Sequence, residues 1–102
     1  MQENIKKLLT DIKKRPGVYF GKKTLTDLSI FLSGYMCCTF ERDGGTLEYL
    51  PGFQEFIEKR YNIKIARHWS EIICFFSSTE EDAFDQFYML LDEYYNQSNN
   101  EN

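Results

Sequence analysis

The sequence predicts an all-α protein, a compact single-domain bundle of about five short helices over residues 1–95 with a disordered polar tail over 96–102. Three observations carry that expectation. Apolar residues recur at three- and four-residue steps in five separate segments. Proline, glycine and asparagine punctuate the gaps between them. Nine Phe, seven Tyr and one Trp among 102 residues supply the large side chains of one core, and a chain of this size buries somewhat over ~60% of its unfolded surface.

The first helix is read over 3–14, where Ile5, Leu8, Leu9 and Ile12 form a stripe with Lys6, Lys7, Lys13 and Lys14 off it. It stops before Pro16-Gly17. The residue before proline is biased away from the helical region, so Arg15 to Gly21 reads as a non-helical connector whose Val18, Tyr19 and Phe20 pack inward. Thr24 is placed to cap the next helix, 25–41, with Asp27 near its positive end. Leu25, Leu28, Phe31, Leu32, Tyr35, Cys38 or Thr39, and Phe40 continue the stripe. Gly34 inside it costs about 1 kcal/mol relative to alanine, which predicts a close neighbour there. Asp43-Gly44-Gly45 is a turn or helix C-cap, and Leu47-Glu48-Tyr49 is too short to assign.

Pro51-Gly52 opens a third helix over 53–61, with Phe53, Phe56, Ile57 and Tyr61 on one face. Ile65, Trp69, Ile72, Ile73 and Phe76 give a fourth over about 66–77; the run from Ile72 to Phe76 alone would pass for a buried strand, and the spacing upstream favours helix. Ser77-Ser78-Thr79 followed by Glu80-Glu81-Asp82 is a strong helix start. Ala83, Phe84, Phe87, Tyr88, Leu91, Tyr94 and Tyr95 carry this last helix to about residue 95.

Charge narrows the function classes. The net charge is −4, with eight basic and six acidic residues in 1–50 but four basic and ten acidic in 51–102. Such a balance opposes direct nucleic-acid binding, which lysine and arginine drive by releasing counterions, and suits a basic protein partner. No apolar run approaches the roughly 20 residues that span a bilayer, and the N-terminus has no apolar signal core, so a cytoplasmic, membrane-free protein is expected. Cys37, Cys38 and Cys74 form neither a disulfide framework nor a zinc pattern, and are expected as reduced, partly buried thiols. His68 is the only histidine, and neither it nor Cys74 has an orienting partner beside it, so His68 reads as a packing or capping residue. No cofactor, metal or enzymatic role is expected. Glu81, Asp85 and Asp92 recur at i, i+4 and i+11 and form an acidic ridge opposite Phe84, Phe87 and Leu91, with Tyr88 and Tyr95 near enough to serve as anchors. Phe75, Phe76, Tyr94 and Tyr95 leave room for a self-association face, compatible with a monomer or weak homodimer.

Lys14-Arg15-Pro16-Gly17-Val18-Tyr19-Phe20-Gly21, followed by Leu25, Leu28, Phe31, Leu32, Gly34 and Tyr35, resembles the RPGMYLG...L..FL.GY opening of small bacterial proteins associated with toxin immunity. Phe53-Gln54-Glu55-Phe56, Trp69-Ser70-Glu71-Ile72-Ile73 and the stretch from Glu81 to Glu93 are similar to the rest of that pattern. The resemblance covers nearly the whole chain. It implies an immunity protein of a polymorphic toxin or contact-dependent growth inhibition system, which binds the toxin domain, often a nuclease, and blocks it. A short string of the same kind occurs in the ATPase domain of type II DNA topoisomerases, but Val18 and Phe20 depart from it and the chain is too short for such a domain. The expectation is therefore stoichiometric occlusion of a basic toxin's active site through Glu80, Glu81, Asp85, Tyr88, Asp92 and Glu93. The alternative is a helical interaction or regulatory module without a toxin partner.

Overall fold

The Ile5, Leu9 and Ile12 stripe is buried along α1 (Gln2–Lys14) in the computed structural model, which describes residues 2–44 and 49–100, without the side chains of 2–4, 20, 43 and 98–100. Arg15 leaves helical geometry, as a pre-proline residue should. The connector expected after it is instead a short helix, α2 (Pro16–Phe20). Proline at a first helical position loses only an N–H that has no intrahelical partner, and Gly21, at φ 74, closes the turn by donating its N–H to the Gly17 carbonyl. The pre-proline restriction thus separates two helices without preventing the second. Val18, expected inside, is 75% exposed, while Tyr19 packs edge-on against Phe31 at 5.7 Å. The expectation for the Phe20 side chain lies outside the described residues.

α3 (Leu25–Asp43) starts as its sequence directs, with the Thr24 side chain accepting the Asp27 N–H. Leu25, Leu28, Leu32 and Met36 form its buried face. That face is narrower than the apolar stripe: Tyr35 and Phe40 lie at the surface, and Cys37 and Cys38, expected partly buried, are exposed. Gly34 is also exposed, and a Cβ there would meet nothing within 4 Å, so the predicted close neighbour is absent. Gly44, at φ 79, ends the helix by donating to the Phe40 carbonyl. Gly45, Leu47 and Glu48 lie outside the described residues.

α4 (Phe53–Arg60) buries Phe53 and Ile57 and is stopped at Asn62, whose φ is 54. α5 (Trp69–Phe75) is shorter than the spacing predicts. His68 is extended and its ring nitrogen accepts the Ser70 N–H, so the helix begins after it and Ile65 stays outside. α6 (Glu80–Asn100) begins with two reciprocal contacts: the Asp82 N–H donates to Thr79 Oγ1, and the Ser78 N–H donates to the Asp82 carboxylate, both at 2.9 Å. It continues to Asn100, past the predicted end near 95, because no glycine or proline interrupts an already nucleated helix. Residues 101 and 102 lie outside the described residues.

No strand occurs among the described residues, and no helix there is long and apolar enough to cross a membrane. α6 packs on α3, α4 and α5, and α5 also meets α3 and α4. At the centre Phe53 meets Trp69, Phe87 and Tyr94 edge-on, at 5.1, 5.8 and 5.2 Å between ring centres. These are the edge-to-face geometries that aromatic quadrupoles favour. The result is an all-helical globule with two outward features: the back of α6, and a cleft between α3 and α5.

Candidate functional site

Helical periodicity places Glu81, Asp85 and Asp92 within about 40° of one another around the α6 axis. All three are exposed, so the acidic ridge expected from the sequence exists as a surface. Its members differ in what they touch. Asp85 pairs with Lys23 at 2.7 Å. The side chains of Glu81 and Asp92 make neither a hydrogen bond nor an ion pair among the described residues. Glu93 is turned about 100° further round from Asp92 and pairs with Arg60 at 3.1 Å. Exposed Met89 stands among the carboxylates, while Lys6 and Lys13 of α1 lie 4.8 and 5.6 Å from the rings of Tyr95 and Tyr88 at the ridge's edge. Cations of the chain itself therefore border the acidic field on one side.

Two of the six expected contact residues have other roles. Tyr88, expected as a surface anchor, is 6% exposed, and its hydroxyl donates to the Leu9 carbonyl at 2.6 Å, tying α6 to α1. Burial pushes its phenol pKa up. Its position on the helix fits either surface or core, and the contact with α1, 79 residues away in sequence, decides it. Glu80 turns away from the ridge. Its carboxylate accepts the Thr26 N–H at 3.1 Å and the Thr26 hydroxyl at 2.7 Å, satisfying an unpaired amide in the first turn of α3.

Glu80 belongs to the second surface. Thr26, Ile30 and Ser33 on α3 face Glu71, Cys74 and Phe75 on α5 across a cleft of about 680 Å³ that also reaches His68 and Ser70. Phe75 is 78% exposed and Ile30 66%, more than any other large apolar side chain on their helices. On the other side of Phe75 lies a smaller hollow of about 330 Å³ walled by Ile63, Ile65, Ile72 and Phe76, with Arg67 and Glu71 at its rim. The sequence signals Phe75 and Phe76 as aromatic excess. It does not place Ile30 opposite them, since nothing local encodes how α3 and α5 meet. Tyr94 and Tyr95, named with them, are half-buried against the core.

The chemistry available in the cleft is limited. His68 Nδ1 lies 2.8 Å from Ser70 Oγ, but the same nitrogen caps α5, and burial lowers the imidazole pKa against the opposing pull of Glu71. Burial, then Glu80, pushes the Cys74 thiol up, the reverse of what activates a thiolate nucleophile. Among the described residues no group of three or more His, Cys, Asp or Glu side chains is arranged to hold a metal ion. Comparison with family models, with curated proteins and with solved structures gives no match to this chain.

Proposed function

We propose that this chain is a cytoplasmic immunity protein that binds a cognate toxin domain, a basic nuclease, and neutralises it by stoichiometric occlusion of its active site. The observation that carries the reading is the exposed line of Glu81, Asp85 and Asp92 on the outer face of α6. The resemblance of the Arg15-Pro16-Gly17 opening and the downstream segments to immunity proteins supports it. A nuclease cleft is positive because it holds phosphate, and a row of carboxylates presents the same charge. Asp85 and Glu93 pair with Lys23 and Arg60 at exposed sites, where such pairs contribute only about 0–1 kcal/mol. Exchanging those partners for cations of a toxin is energetically easy. The contact set in this reading is Glu81, Asp85, Asp92 and Glu93.

Co-expression with the product of the adjacent gene, scored by growth and by co-purification, tests it. Rescue by the wild-type chain is expected, with an affinity that falls as salt rises. The triple reversal Glu81→Lys, Asp85→Lys, Asp92→Lys should weaken the complex by at least about tenfold at low salt. An unchanged affinity and salt dependence in that variant would remove this face. The second reading, an interaction module without a toxin, is favoured by the exposure of Phe75 and Ile30 beside a cleft on a different face. Absence of both toxicity and complex formation would select it.

A further inference from the structure

We infer that the α3–α5 cleft is a docking site for a cationic, amphipathic segment of a protein partner, with Phe75 as its central apolar contact. The inference goes beyond the α6 reading, uses a different face and does not require that the partner be a toxin. Phe75 forms a ridge between two hollows of different character. One side mixes apolar surface, from Ile30 and Phe75, with two carboxylates: Glu71, which also borders the other hollow, and Glu80, whose oxygens accept from Thr26; no Lys or Arg is among the described residues that line it. His68 adds no charge at neutral pH, since burial favours its neutral form. The other side is an apolar cup formed by Ile63, Ile65, Ile72 and Phe76. Arg67, at the rim of that cup, lies 3.8 Å from Glu71 in an exposed contact.

A segment that fills both hollows carries an apolar residue for the cup and a lysine or arginine for the cleft. Short side chains, Ser29 and Ser33, line the α3 wall and let a partner backbone approach closely. The charge distribution also decides between occupants. A two-fold contact between two copies through Phe75 would gather two Glu71 and two Glu80 against only two Arg67, leaving an excess of negative charge across the interface, which is unfavourable. A basic partner meets the opposite sign.

The probe is a short synthetic peptide of leucine and lysine at amphipathic helical spacing, titrated into the full chain and followed by amide chemical shifts. Its counterpart with glutamate in place of lysine is the control. Shifts are expected at Ile30, Ser33, Cys74 and Phe75, with affinity lowered about tenfold or more by Phe75→Ser and again by Glu71→Lys, and no binding of the glutamate peptide. Phe75 is exposed, so Phe75→Ser should keep the wild-type circular dichroism and melting curve. Failure of the leucine–lysine peptide to bind, shifts confined to the outer face of α6, or equal binding of the glutamate peptide would each overturn the inference. Sedimentation provides a separate arm: a dimer abolished by Phe75→Ser would assign the face to a second copy and overturn it as well. None of these outcomes bears on rescue through Glu81 and Asp92.

Discussion

His68 is the only histidine of the chain, and its ring does a backbone's work: Nδ1 accepts the Ser70 N–H at the start of α5. Burial disfavours the charged ring and outweighs the opposing pull of Glu71, so the folded state holds its pKa below the ordinary 6.5, and only the unprotonated nitrogen can accept. The unfolded chain then takes up its proton first as pH falls. The His68 contribution to stability should be constant above about pH 7, decline as pH drops through the ordinary histidine range, and level off once the folded form also titrates. Urea midpoints at pH 7 and pH 5 measure this. His68→Asn keeps an N-cap acceptor without a titrating ring and should lose the decline over that interval. A decline that persists in the asparagine variant would assign it to other groups. The capping reading of His68 was available from the sequence, because a lone polar ring just before an apolar stripe has few other local roles. Tyr88 was not legible in the same way. Its azimuth fits either surface or core, and the Leu9 carbonyl that holds its hydroxyl is 79 residues away.

Gly34 makes the corresponding point about a helix. A glycine inside a 19-residue helix implies a backbone that must be approached closely, yet a Cβ there meets nothing within 4 Å. Gly34→Ala should therefore stabilise the protein by about 1 kcal/mol, raising the melting temperature by about 4–8 °C for a domain of this size. A lower melting temperature would show that α3 needs the glycine. The helix starts at Thr24 and Thr79 were the most legible features, since each acts on an amide three residues on, whereas the helix expected from about 66 begins at Trp69. The helix over Pro16–Phe20 was missed because the pre-proline rule constrains Arg15 and says nothing against the turn that follows. The ridge on α6 was legible because it follows from the periodicity of one helix. The cleft was not, because it arises where α3 and α5 meet, with Glu80 of α6 reaching across to Thr26 at that junction.

The molecule has one core rather than several. Buried side chains of α1, α3, α4, α5 and α6 join in a single cluster running from Ile5 to Leu91, which makes separate unfolding of any one of these helices unfavourable. α1 is joined to that cluster by Ile5, Leu9 and Ile12, by Lys6 and Lys13 against the rings of Tyr95 and Tyr88, and by a hydrogen bond from the Tyr88 hydroxyl to the Leu9 carbonyl. Tyr88→Phe removes this hydrogen bond with almost no change of shape, so its cost should be about 1 kcal/mol. Two probes read different parts of the molecule: far-ultraviolet circular dichroism follows all helices, while Trp69 fluorescence reports the aromatic centre around Phe53 and Phe87. If the core is a single cooperative unit, both midpoints should fall together in Tyr88→Phe and the denaturant slope should stay unchanged. A dichroism midpoint that falls while the Trp69 midpoint stays fixed would mean that α1 detaches on its own. In that case the hydroxyl would be a local latch and not part of one core. Under the proposed α6 reading, Tyr88→Phe should leave partner binding unchanged, because Tyr88 acts inside the fold while Glu81 and Asp92 lie on its surface.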